Sequence, residues 1–186
     1  MDEVFRSYLD PAFRYVWSQG PTRVRGRQDA LRDGLNCVAL AHLVLRDLFG
    51  HTLPASFQSW ELFEDRAFFE PVDGVPTAQA GDLVWFGAAR PRLRLDEFEP
   101  RFEDGELVNV ADFAVNHVAV HTGERAGGDP LLLHASSLDG TNVLWPLARF
   151  AARPRYAKIY GIQRLRASFR SAPLDARTDR SVVEQP

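Results

Sequence analysis

The chain predicts an α+β fold in which N-terminal helices are followed by a small antiparallel sheet, and three observations predict it. From Cys37 onward the apolar residues Leu40, Ala41, Val44, Leu45 and Leu48 recur at three- and four-residue steps, the period of a core-facing helix. Downstream, short runs rich in β-branched, leucine and aromatic residues, at 82–86, 117–122, 131–136 and 141–145, are bounded by glycine, aspartate or asparagine. The breaks Gly127-Gly128-Asp129-Pro130 and Asp139-Gly140 are short enough to reverse the chain, so the last runs form a meander.

In order, residues 3–9 suit a helical turn or two, and Pro11 suits the first position of a second helical segment through Ala12, Phe13, Tyr15 and Val16, ended by Gly20 and Pro21. Residues 22–27 are basic and read as a solvated loop. Asn36 caps the helix that starts at Cys37, and Gly50 with Pro54 stops it. Ser56 is a cap for a further helix carrying Phe57, Trp60, Phe63, Ala67 and Phe68 and closing at Pro71. Residues 72–77 are turn-rich and feed the buried strand of Ala80-Gly81-Asp82-Leu83-Val84-Trp85-Phe86-Gly87. Residues 88–116 lose all periodicity and carry Arg90, Arg92 and Arg94 before a series of carboxylates, the pattern of a charged, solvent-facing insertion. The last strand is expected over 156–165.

Length and composition bound the function. One domain is expected over residues 1–166, burying roughly 70% of the surface its unfolded chain exposes, with a flexible tail over 167–186. A net charge of −3 without a basic face argues against nucleic acid as a partner. No run approaches the ~18 consecutive apolar residues of a membrane span. The acidic opening Met1-Asp2-Glu3 lacks a signal-peptide pattern, so a cytoplasmic setting is expected, with export by another route left open. A single cysteine excludes an internal disulfide. Oligomeric state is not fixed by any of these features.

The lone Cys37 stands at the positive end of a helix dipole, which favours thiolate, and a neighbouring imidazolium would bring its pKa below about 7. From the helix pattern alone it reads equally as a small buried hydrophobe. His117 and His121 share one face of a strand about 13 Å apart, too far to chelate one ion. A thiol on a helix terminus and histidines held on strands are the parts of nucleophilic catalysis. His42 and His51 read as bystanders, Tyr15 and Trp17 read equally as core aromatics, and His121 stays open as a cleft residue.

Five segments occur in one order: Tyr15-Val16-Trp17 before a glycine, Gly34-Leu35-Asn36-Cys37, the 80–86 strand, His117-Val118-Ala119-Val120-His121-Thr122-Gly123, and Leu133-His134-Ala135-Ser136. That order resembles the NlpC family of papain-like cysteine peptidases, bacterial enzymes that mostly cut peptidoglycan stem peptides, over roughly residues 15–165. The resemblance implies a papain-like fold, with the nucleophile helix packed on a small antiparallel sheet or half-barrel. It implies a thiol-dependent amidase or peptidase acting through an acyl-Cys37 intermediate on a peptide or peptidoglycan fragment, without metal or cofactor. By position, Cys37 resembles the nucleophile, His117 the general base and His134 the orienting residue. Tyr15 matches a tyrosine near the oxyanion pocket, and Asn36 and Val38 flank the nucleophile where the family usually has Asp and Ser that help hold substrate. Those two departures put the customary substrate in question. An acyl- or amide-transferring enzyme of the same fold and a non-catalytic binding module are the alternative readings.

Overall fold

Asp2 opens the first helix, α1 (Glu3–Ser7), by accepting the Val4 N–H at 2.8 Å. The computed structural model describes residues 1–55, 59–90, 102–103, 106–107 and 114–170. Three more helices follow, α2 (Arg27–Asp33), α3 (Cys37–Phe49) and α4 (Ser59–Glu64). The strands are β1 (Phe69–Pro71), β2 (Leu83–Gly87), β3 (Phe102–Glu103), β4 (Glu106–Leu107), β5 (His117–Ala126), β6 (Asp129–Ser136), β7 (Thr141–Pro146) and, after helix α5 (Leu147–Ala151), β8 (Lys158–Leu165). Six of them form one sheet in the order β1-β8-β2-β5-β6-β7, every neighbouring pair antiparallel. The fold is α+β, with the Cys37 helix laid on an antiparallel sheet.

Alternation along the strands separates two cores. Leu83, Trp85, Val118, Val120, Leu133 and Ala135 face the helices, where they meet Leu40, Val44 and Leu45 of α3. Tyr8 ties α1 to this layer, its hydroxyl donating to Asp47 Oδ2 at 2.6 Å. On the other face Val84, Phe86, Ala119, Leu132 and Trp145 are covered by Phe150 of α5 and Tyr156 of the 3-10 turn Pro154–Tyr156. Phe86 and Phe150 stack with centroids 4.3 Å apart. Each such fully buried apolar side chain contributes about 1.5–3 kcal/mol.

Several expectations are corrected. Residues 11–16 are not helical: Tyr15 bridges Leu35 in parallel and its N–H donates to the Gly140 carbonyl at 2.8 Å, so backbone partners far along the chain replace local ones. The helix placed between Ser56 and Pro71 is the shorter α4; Asp65 Oδ1 takes the Phe68 N–H at 2.7 Å, and the chain then pairs with β8 as β1. Ser56 and Phe57 lie outside the described residues. So does most of the expected 88–116 insertion, of which 102–103 and 106–107 form a two-stranded hairpin. Residues 167–169, placed in the tail, make a 3-10 turn whose Phe169 ring lies 4.8 Å from Phe68; residues 171–186 are not described. Among the described residues no helix is long and apolar enough to cross a membrane.

Candidate active site

Asn36 sets the start of α3. Its side-chain oxygen accepts the Val38 and Ala39 N–H groups at 3.1 and 2.9 Å, and its Nδ2 donates to the Trp17 carbonyl at 3.0 Å. Gly34 makes this tight approach possible: its φ is +84°, and a Cβ there would run into Val16 Cγ2 and the Arg14 carbonyl. Capping occupies the second and third amides of the helix and leaves the Cys37 N–H outside the capping pair.

Cys37 is 5% exposed and its sulfur meets the Val118 N–H, the amide next to His117. Burial pushes the thiol above its ordinary value, while the Val118 N–H and the Arg155 guanidinium pull it back. The expected low-pKa thiolate is therefore not the resting state, because desolvation of a buried anion outweighs the helix terminus.

His117 opens β5 at the rim of the sheet, and its Nε2 lies 3.0 Å from His134 Nδ1 of β6, the two rings meeting at 89°. Both alternate onto the α5 face. His134 is caged by Trp145 and Phe150, with ring centroids at 4.5 and 4.7 Å, and among the described residues its Nε2 has no hydrogen-bond partner. His117 packs on Tyr156 at 4.7 Å. Burial first, then the charges of His134 and Arg155, hold His117 well below the ordinary histidine value. Burial likewise brings His134 down to about 3. Both rings are neutral near neutrality, so one donates and the other accepts. Only a proton on His117 Nε2, given to His134 Nδ1, leaves His117 Nδ1 as a free base.

The remaining predicted residues are dispersed. Tyr15 is half-buried beside Leu35, two residues before Cys37. Both ends of the Asn36 amide are engaged in capping and tethering, and Val38 is 4% exposed inside the helix-side core. The Asn36 side chain thus serves the helix start and the Trp17 segment, and Val38 serves the core. His121 receives the Gly123 N–H on Nδ1 at 3.0 Å, where the β5–β6 register is irregular. His42 is buried in α3, and His51 packs against Phe169. Among the described residues no group of three or more His, Cys, Asp or Glu stands where it could hold one metal ion.

Sequence reasoning missed Arg155, Tyr156, Trp145 and Phe150. No motif marks them; the aromatic spacing between 145 and 156 is the one available signal.

No protein-family model matches the chain, and no curated protein does. Among solved structures, the chain is similar to an N-acetylmuramoyl-L-alanine amidase from Bacteroides uniformis, at 22% identity and a TM-score of 0.33. The match covers 52% of this chain and 32% of the amidase chain, so the chain spans about a third of that protein's length.

Proposed function

We propose that the protein is a thiol-dependent amidase or peptidase in which Cys37 is the nucleophile, His117 the general base and His134 the residue that orients it. The observation that carries this reading is the 3.0 Å His117–His134 pair at the strand end whose next amide, Val118 N–H, meets the Cys37 sulfur. Attack on a substrate carbonyl forms the S–C bond as His117 Nδ1 takes the thiol proton. The Cys37 N–H steadies the oxyanion, and by motif position the Tyr15 hydroxyl is assigned as a second donor; one such donor is typically worth about 10²- to 10³-fold. Collapse breaks the C–N bond, and His117 returns its proton to the leaving amine. Water, deprotonated by His117, then cleaves the acyl-Cys37 thioester and restores the thiol. Because burial and the Arg155 guanidinium disfavour the His117 imidazolium, it gives up its proton readily to the amine.

The motif order supports a peptide or peptidoglycan fragment as substrate. Incubation with a peptidoglycan digest, read by mass spectrometry, is expected to yield paired amine and acid products. Cys37→Ala and His117→Ala are expected to abolish them, whereas His134→Ala retains a remnant, since His134 orients without touching substrate. Undiminished product from Cys37→Ala would contradict the proposal.

A further inference from the structure

We propose that Arg155 is a specificity-determining residue that binds a carboxylate of the substrate close to the scissile amide. The inference rests on the thiol-amidase reading and names the charge of its substrate.

Arg155 belongs to the Pro154–Tyr156 turn between α5 and β8. Asn116 Nδ2 braces that turn by donating to the Arg155 carbonyl at 3.2 Å. The guanidinium lies 5.3 Å from the centroid of the Tyr156 ring, which itself packs on His117. Its Nη1 reaches 3.4 Å from Ser137 Oγ, on the β6–β7 turn whose Gly140 carbonyl accepts the Tyr15 N–H. The cation is thus held at the rim where Tyr15, His117 and the end of β6 come together.

Three other arginines hold carboxylates: Arg164 pairs with Asp82 at 2.7 Å, Arg46 with Asp47 at 3.0 Å and Arg149 with Asp139 at 3.3 Å. Among the described residues Arg155 has no carboxylate partner, and its Nε is buried without a hydrogen-bond partner. A half-buried guanidinium with an unmet N–H is costly, and the group that such a planar fork fits best is a carboxylate, taken by two parallel N–H bonds. The residues flanking Cys37, Asn36 and Val38, carry no charge, and the charge that acts on the thiol is that of Arg155. It acts on His117 as well. A cation facing the nucleophile selects an anionic substrate and rejects a cationic one.

Two reagents that differ by one carboxylate test this. Iodoacetate and iodoacetamide each form an S–CH₂ bond with Cys37 and release iodide, the thiol proton leaving through His117, and intact mass follows both on the wild-type protein. The iodoacetate to iodoacetamide rate ratio, divided by the same ratio for a small free thiol, is expected to exceed about tenfold near neutral pH, the size of a charge-assisted pair. It is expected to fall to about one in Arg155→Gln and to an intermediate value in Arg155→Lys, which keeps the charge but loses the fork. A wild-type ratio of about one, or one unchanged by Arg155→Gln, overturns the inference while leaving Cys37 reactive. Failure of Cys37 to outpace the free thiol with either reagent overturns the thiol-amidase reading and this inference with it. The wild-type ratio needs no variant to fold.

Discussion

His117 and His134 share one hydrogen bond inside an aromatic cage, and among the described residues neither ring hydrogen-bonds a carboxylate. Protonation of both is opposed by burial first, and that of His117 further by His134 and Arg155. The resting site is therefore a neutral thiol beside a neutral base, and the proton moves during attack rather than before it. The same burial makes the fold sensitive to acid. A histidine held to about 3 when folded is protonated first in the unfolded chain, so its contribution is fully present above about pH 6.5 and is lost as pH falls toward about 3. The loss attributable to His134 is on the order of 5 kcal/mol across that window. Urea midpoints measured from about pH 8 to about pH 4 are expected to drop steeply in the wild type and less in His134→Gln, which keeps polarity without titrating. Identical pH dependence in the two proteins would remove the assignment of that cost to His134.

The start of α3 decides where the thiol stands. Asn36 uses one end of its amide to cap the helix and the other to hold Trp17, so the Tyr15 segment and the nucleophile helix are tied by a single side chain. Asn36→Ala removes both and is expected to cost about 1–2 kcal/mol in denaturant unfolding, at the upper end of the range for lost caps. Asn36→Asp keeps the cap but turns a carboxylate oxygen toward the Trp17 carbonyl, so it is expected to be less stable than wild type although aspartate caps helices equally well. Wild-type stability in both variants would show that the tether to Trp17 does nothing. At the other end of the site, α5 matters for the one ring it delivers: Phe150 touches Phe86, His134 and Trp145 and closes the cage over the imidazoles.

Across the whole molecule, what was legible in the sequence is what local chemistry determines. The α3 helix carries its own cap, period and glycine stop, and β2, β5, β6 and β7 carry their own apolar runs and turns, so they stand where the pattern puts them. The roles of His117 and His134 come from the family resemblance, and the structure sets their rings 3.0 Å apart on neighbouring strands. What stayed hidden depends on distant partners: Tyr15 is drawn out of a helix by Leu35 and Gly140, and Phe69 joins the sheet through Leu165. Helices α2 and α5 are one to two turns long and depend on packing rather than propensity. Arg155 gained its place from the convergence of three segments, which no spacing encodes. The central claim, that His117 serves as base to Cys37, is tested most directly by the rate of Cys37 alkylation with iodoacetamide from about pH 5 to about pH 9, in wild type and His117→Ala. The wild type is expected to stay reactive through neutral pH and to slow only where His117 protonates, below the ordinary histidine value. His117→Ala is expected to react about 100-fold more slowly near neutrality and to speed up only as the buried thiol ionises by itself. Superimposable profiles for the two proteins would contradict the account.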